Sequence, residues 1–271
     1  MIITDDFVYI HQPKTGGTFV TRMLQRVYGV ERGLWHRLWR RLLPKPVRDS
    51  QWLKQVRMPW KPRFVDVKKH GAVCEIPLLY RELPIIGTVR NPYDRFVSQF
   101  EFQKAKDMSK ESWPEGGRLR DKFLENENWP FDEYVRWRSR HVPPRLRSEV
   151  DAQGDLIGLQ TKQFVTTYAM DPPRVFNILQ EKGAEAVSRG HFAPMRFLET
   201  GNLNEDLYST LRDFAFPEEK LEFILRAKKV RPPRSTRTLE QTWQRYYDEE
   251  LLDYVRCTEK LLFELFPSFV L

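Results

Sequence analysis

The stretch "FVYIHQPKTGGTFVTRML" (Phe7 to Leu24) constrains this chain more than any other. Phe7 to Ile10 is a short apolar run with the composition of a buried strand. Phe19, Val20, Met23, Leu24, Val27 and Tyr28 then recur at helical spacing, and Gly29 stands where a helix C-cap belongs. Lys14, Gly16 and Gly17 lie between the two patterns. A strand that turns through glycines straight into a helix gathers backbone N–H groups and the positive end of the helix dipole at one place, which suits an anion. Gly16 and Gly17 let the backbone close around a phosphate, Lys14 can reach over the same oxygens, and Thr15 and Thr18 can donate hydroxyls. Taken alone, "KTGG" is equally explained by a tight turn with a chance lysine. The Gly-Lys-Ser/Thr ending, whose hydroxyl ligates magnesium in ATP sites, is missing.

Further strands and helices follow in alternation. "RFVDVKKHG" predicts a strand over Phe64 to Val67, ending in a polar turn with His70. "LPIIGTVR" (Leu83 to Arg90) is apolar enough for a central strand. Asn91 can cap the next helix with Pro92 at its first position, and Phe96, Val97 and Phe100 continue that helix. Alternation of this kind predicts an α/β protein with a parallel sheet and right-handed crossovers. Helices are expected over Leu159 to Tyr168, over Val175 to Arg189 and over Glu240 to Phe266. "RFLETGNLNEDLYSTLRDF" reads as a strand, a turn, and a helix from near Asn204.

A chain of 271 residues with 41% hydrophobic content supports one large α/β domain or two small ones. Its 18 Phe and 8 Trp exclude a disordered protein. The net charge of +8 calls for an anionic partner: a nucleotide, nucleic acid, anionic glycan or lipid surface. Cys74 and Cys257 stand far apart, which indicates neither a disulfide framework nor a zinc site and suits a reducing compartment. "MIITDDFVYI" has no basic start and no long apolar stretch, so a signal peptide or anchor is not expected and a cytoplasmic protein is.

Residues 31–63 hold ten basic and two acidic residues, a net charge equal to that of the whole chain, and four of the tryptophans. Leu34, Trp35, Leu38, Trp39, Leu42 and Leu43 form an apolar stripe on a basic helix, ended by Pro44. Such a segment is either a solvated face packed on the core or a patch for a membrane surface or anionic acceptor. Residues 108–150 are polar, with Trp113, Trp129 and Trp137 and several prolines, and read as a loop-and-helix excursion.

"PKTGGTF" followed by "VRNPYDRFVS" resembles the two cofactor-binding motifs of sulfotransferases that use 3′-phosphoadenosine 5′-phosphosulfate (PAPS). "FLETGNLNEDL" and "YYDEELLDYVRCTEKLLFELF" extend the likeness weakly into the C-terminal half, and in style it is nearest to the carbohydrate sulfotransferases of bacteria and the Golgi. The resemblance implies a P-loop-like three-layer α/β/α fold with a central, mainly parallel sheet. It implies a single domain over 1–271, with 31–63 as an insertion and 108–150 on the acceptor side. It places the amides of Thr15, Gly16, Gly17, Thr18 and Phe19 on the phosphosulfate and Lys14 on the leaving-group oxygen. Arg90 and Ser98 would hold the 3′-phosphate, with guanidinium geometry suited to paired oxygens. Arg234 and Ser235, in the basic loop before the last helix, would close over PAPS. A phosphosulfate donor needs no metal, which accounts for the missing magnesium-binding hydroxyl.

The implied reaction moves a sulfuryl group to a hydroxyl or amine, with a glycan or glycolipid as acceptor, and releases adenosine 3′,5′-bisphosphate (PAP). His70 is the expected base because it follows a core strand at the sheet edge where ligands collect in open α/β folds. "KKHGAV" resembles a segment that carries the base in some glycan-modifying members, while others use a glutamate, which makes Glu75 the second candidate. Contact of 31–63 with the inner membrane face is the expected peripheral association. A P-loop kinase or ATPase and a non-enzymatic basic protein that binds membrane or nucleic acid are the competing classes. Each requires the two motifs to be coincidence.

Overall fold

The computed structural model describes residues 1–30, 64–66, 70–104, 129–140, 150–228 and 242–270, with 64–66 and 104 as backbone only. The basic segment 31–63, most of 108–150, and Arg234 and Ser235 lie outside the described residues. The strands are β1 (Ile2–Thr4), β2 (Val8–Ile10), β3 (Phe64–Asp66), β4 (Ile85–Val89) and β5 (Met195–Glu199). The helices are α1 (Gly17–Val27), α2 (Pro92–Lys104), α3 (Phe131–Arg140), α4 (Leu159–Tyr168), α5 (Pro172–Lys182), α6 (Leu203–Asp213), α7 (Glu222–Leu225), α8 (Glu249–Thr258) and α9 (Lys260–Leu265). The protein is therefore α/β. It divides into two compact units, Met1–Arg90 with Ala193–Val230 and Asn91–Phe192 with Arg231–Leu271.

The first unit carries the whole sheet, in the order β3-β1-β2-β4-β5. β2 pairs parallel with β4 (Val8 opposite Ile85) and β4 parallel with β5 (Ile85 opposite Met195). β1 pairs antiparallel with both β2 and β3, so the sheet is mixed rather than mainly parallel. The cause is local. The Thr4 hydroxyl accepts from the Asp6 and Phe7 amides (3.1 and 2.9 Å) and donates to the Phe7 carbonyl (2.8 Å), closing a tight reversal between β1 and β2. An antiparallel pair needs no crossover helix, so Ile2 to Thr4 joins the sheet as a strand that the alternation of strands and helices does not foretell.

Both sets of alternating residues on the central strands are buried, as the unbroken apolar runs require: Val8, Tyr9, Ile10 and Ile86 have no exposed surface. Phe19, Val20 and Leu24 of α1 and Leu203, Leu207 and Leu211 of α6 pack with Phe7, Tyr9, Ile86 and Leu198 in one core. Each such side chain, fully buried, contributes about 1.5–3 kcal/mol. α1 ends as its spacing predicts, with Gly29 in the left-handed region at φ 62°.

The second unit is helical. Asn91 caps α2 by accepting the Tyr93 amide at 3.0 Å, and Pro92 opens the helix. α4 spans the residues that its pattern predicts. The helix expected over Val175 to Arg189 instead starts at Pro172, capped by Asp171, and stops at Gly183, whose φ of 84° is outside helical space. The single C-terminal helix expected over Glu240 to Phe266 is broken into a 3-10 turn, α8 and α9. Asp248 takes the Leu251 amide at 2.8 Å and restarts the chain as α8. The helix is interrupted again at Glu259, whose backbone (φ −109°, ψ 23°) leaves helical space and whose carboxylate bonds the start of α4.

Candidate functional site

The site lies within the first unit, where the C-terminal ends of β2, β4 and β5 meet the start of α1. In an open α/β sheet this is the edge at which ligands bind. The loop from His11 to Gly16 is held there by hydroxyl groups. The buried Thr15 hydroxyl donates to the Gln12 carbonyl at 2.8 Å. Its one proton is thereby committed, so the Thr88 hydroxyl of β4 is the donor in the 2.6 Å bond between the two threonines. The Thr200 hydroxyl, one residue beyond β5, is 3.0 Å from the Thr15 carbonyl and 2.9 Å from that of Val89. The Asp206 carboxylate accepts the Glu199 amide at 2.7 Å and fixes that same strand end; burial raises its pKa above the ordinary value.

Backbone shape then follows from sequence. Lys14 has a φ of 66° and Gly16 a φ of 87°. Gly16 takes this conformation without penalty, whereas Lys14 does so at a cost of about 1–2 kcal/mol. Strain of this kind persists where the surroundings over-determine it, and it gathers at ligand clamps. Gly17 meets a different demand. A Cβ there would lie 2.0 Å from the His11 ring, so the imidazole occupies the space a side chain would need at the start of α1. The Phe19 and Val20 amides both turn to the Gly16 carbonyl, at 2.9 and 3.4 Å. The Gly16, Gly17 and Thr18 amides donate to no acceptor among the described residues. Two of these features suit a phosphate group, the amides without an acceptor among the described residues and the helix N-terminus; the space beside Gly16 and Gly17 is taken by Leu203 and the His11 ring.

Of the residues expected here, Lys14, Thr15, Gly16, Gly17, Thr18 and Phe19 are brought together as the loop and first helical turn. Thr18 is exposed, while Phe19 is buried in the core and its amide is engaged within the helix. The Thr15 hydroxyl holds the loop to β4. Arg90, just past β4, donates from its guanidinium to the Lys14 carbonyl at 3.2 Å. Ser98 is half-buried on the second turn of α2, in the second unit. The boundary between the units thus falls inside the "VRNPYDRFVS" motif.

His70 is exposed, and its Nδ1 lies 3.0 Å from the His11 carbonyl. A carbonyl can only accept, so Nδ1 carries the proton and the lone pair of the neutral ring sits on Nε2, the form a general base requires. The His11 ring meets that of His70 edge-on at 4.9 Å and stacks on Tyr9 at 6.2 Å. Glu75 is placed differently: its carboxylate accepts the Ala72 amide at 2.9 Å and closes a short turn. Sequence reasoning passed over Thr88, Thr200 and Gln12. A threonine inside "IIGTVR" reads as an ordinary strand residue, and nothing in "ETGN" marks the first Thr as a clamp.

Among the described residues no group of three or more His, Cys, Asp or Glu could hold a metal ion, and no helix is long and apolar enough to cross a membrane. Comparison of the chain with protein-family models and with curated proteins gives no match.

Proposed function

We propose that this chain is a PAPS-dependent sulfotransferase that moves a sulfuryl group to a hydroxyl or amine of a carbohydrate or glycolipid and releases PAP. The reading includes the P-loop-like three-layer fold, a cytoplasmic location, and contact of 31–63 with the inner membrane face. One observation carries it: the Arg90 guanidinium reaches the Lys14 carbonyl, so the basic residues of the two motifs meet at one loop although 76 positions separate them. A kinase loop would give Arg90 no such task.

In this reading the amides of Gly16, Gly17 and Thr18 take the 5′-phosphosulfate, and the Arg90 guanidinium takes the 3′-phosphate. The acceptor oxygen forms its bond to sulfur as the bond from sulfur to the bridging phosphate oxygen breaks. The acceptor's proton passes to His70 Nε2, and the electron pair of the broken bond stays on the 5′-phosphate beside Lys14. Positioning and charge stabilisation supply most of the rate in such in-line transfers. Glu75, occupied as a turn cap, is the weaker base.

Calorimetry with PAP, and with ATP–magnesium for comparison, tests the reading. Wild type should bind PAP tightly and Arg90→Ala should lose at least about ten-fold, the worth of one charge-assisted bond. A folded wild-type protein that ignores PAP, or prefers ATP–magnesium, would refute it.

A further inference from the structure

Gln12 is a residue of the loop that no role above has used. Gln12 is almost fully buried, at 2% exposure, and its Nε2 makes no hydrogen bond among the described residues. Its main-chain carbonyl accepts from the Thr15 hydroxyl at 2.8 Å. A buried amide N–H donor without an acceptor is expensive, and natural structures retain few of them. Methionine has nearly the same length and volume and would fill the space without the penalty. Gln12 stands in the chain two residues before Lys14 and four before Gly16, where the amides without an acceptor among the described residues begin, and the bond from the Thr15 hydroxyl ties its main-chain carbonyl to that turn.

We propose that the Gln12 carboxamide is part of the anion site, donating Nε2–H to an oxygen of the phosphate or sulfate ester held by the Lys14–Thr18 loop. The unligated protein keeps the amide unpaired and the bound anion satisfies it. Stability of the empty fold is given up for affinity, as functional sites commonly do. The inference rests on the anion-binding reading of this loop but not on PAPS as the donor, so inorganic pyrophosphate serves as the first probe and PAP and PAPS as the second.

Two variants test it by calorimetry and thermal melting. Gln12→Met should raise the Tm of the ligand-free protein by about 2–4 °C, since it removes one unpaired buried group from a chain of this size. The same variant should weaken pyrophosphate binding about ten- to a hundred-fold. Gln12→Glu keeps the shape but sets a carboxylate against the anion. Its binding should be lost at neutral pH and recover relative to wild type as the pH falls and the acid becomes a donor. Measurement against wild type at each pH removes the contributions of His11, His70, Lys14 and Arg90, which all bear on the same anion. Unchanged affinity in Gln12→Met, or a lower Tm, would overturn the proposal, because the side chain would then be filling space. A wild type that binds neither pyrophosphate nor PAP overturns it as well. Pyrophosphate binding without PAP binding would leave Gln12 in its role and refute only the sulfotransferase reading. A loss in Gln12→Met that is larger for PAPS than for PAP places the contact on the sulfuryl group, and an equal loss places it on the 5′-phosphate.

Discussion

Lys14 keeps a left-handed backbone with a side chain attached, while Gly17 keeps an ordinary backbone with no room for one. The two positions are constrained for different reasons, and substitutions separate them. Gly17→Ala drives a Cβ into the His11 ring, and relieving the clash means moving an imidazole held between Tyr9 and His70. A loss of about 1–3 kcal/mol is expected, as for other overpacked positions. Gly29→Ala is the control. Its φ of 62° is unfavourable for alanine, but a Cβ there meets nothing within 4 Å. It should cost about 1 kcal/mol, from backbone conformation alone. Urea unfolding of both variants checks this, and anion binding should fall only in Gly17→Ala, where His11 is displaced.

At the scale of elements, the start of α4 depends on a side chain from a distant part of the chain. The fully buried Glu259 carboxylate accepts the Gln160 amide (3.0 Å), the Thr161 amide (2.6 Å) and the Thr161 hydroxyl (2.8 Å). Gly158 is required beside it, because a Cβ there would lie 2.3 Å from a carboxylate oxygen. Burial outweighs these donors and the positive charge of Arg95, and it pushes the Glu259 pKa up from 4.5 to about 7. The folded protein therefore holds this proton more tightly than the unfolded chain does. The resulting stability is present in full below pH 4.5 and is lost as the pH rises through 7, a change of about 3 kcal/mol. Unfolding free energies at pH 5 and pH 8 should differ by about that amount more in wild type than in Glu259→Gln, whose side chain does not titrate. Equal slopes would show that Glu259 ionises freely in the fold.

Across the whole molecule, each compact unit is assembled from separated segments, so the sheet of the first is completed by β5, more than a hundred residues after β4. The net charge of +8 is matched by residues 31–63 alone. Neutralising Arg37, Arg40 and Arg41 should weaken co-sedimentation with anionic vesicles and make what remains less sensitive to salt, while PAP binding stays at the wild-type level. Joint loss of both would mean that the basic segment and the donor site are not separate functions.

The sequence by itself determined β2, α1, β4, α2 and α4, because each is specified by neighbours in the chain: an apolar run, a helical repeat, a cap such as Asn91, a stop such as Gly29. The turn from Lys14 to Gly17 into α1 was legible for the same reason, since glycine, lysine and a following helix are local features. What only the tertiary structure decided depends on residues far apart. Strand order is of this kind: β4 pairs with β5, more than a hundred residues further on, and no hydrophobic period encodes that partner. The acceptor for the start of α4 comes from Glu259, at the break between α8 and α9, a pairing invisible in an uninterrupted helical pattern. The clamps of the site, Thr15 to Thr88 and Thr200 to Thr15, join positions 73 and 185 residues apart through single hydroxyls. Periodicity records which side of an element is buried. It carries no trace of which polar group, elsewhere in the chain, will be waiting there.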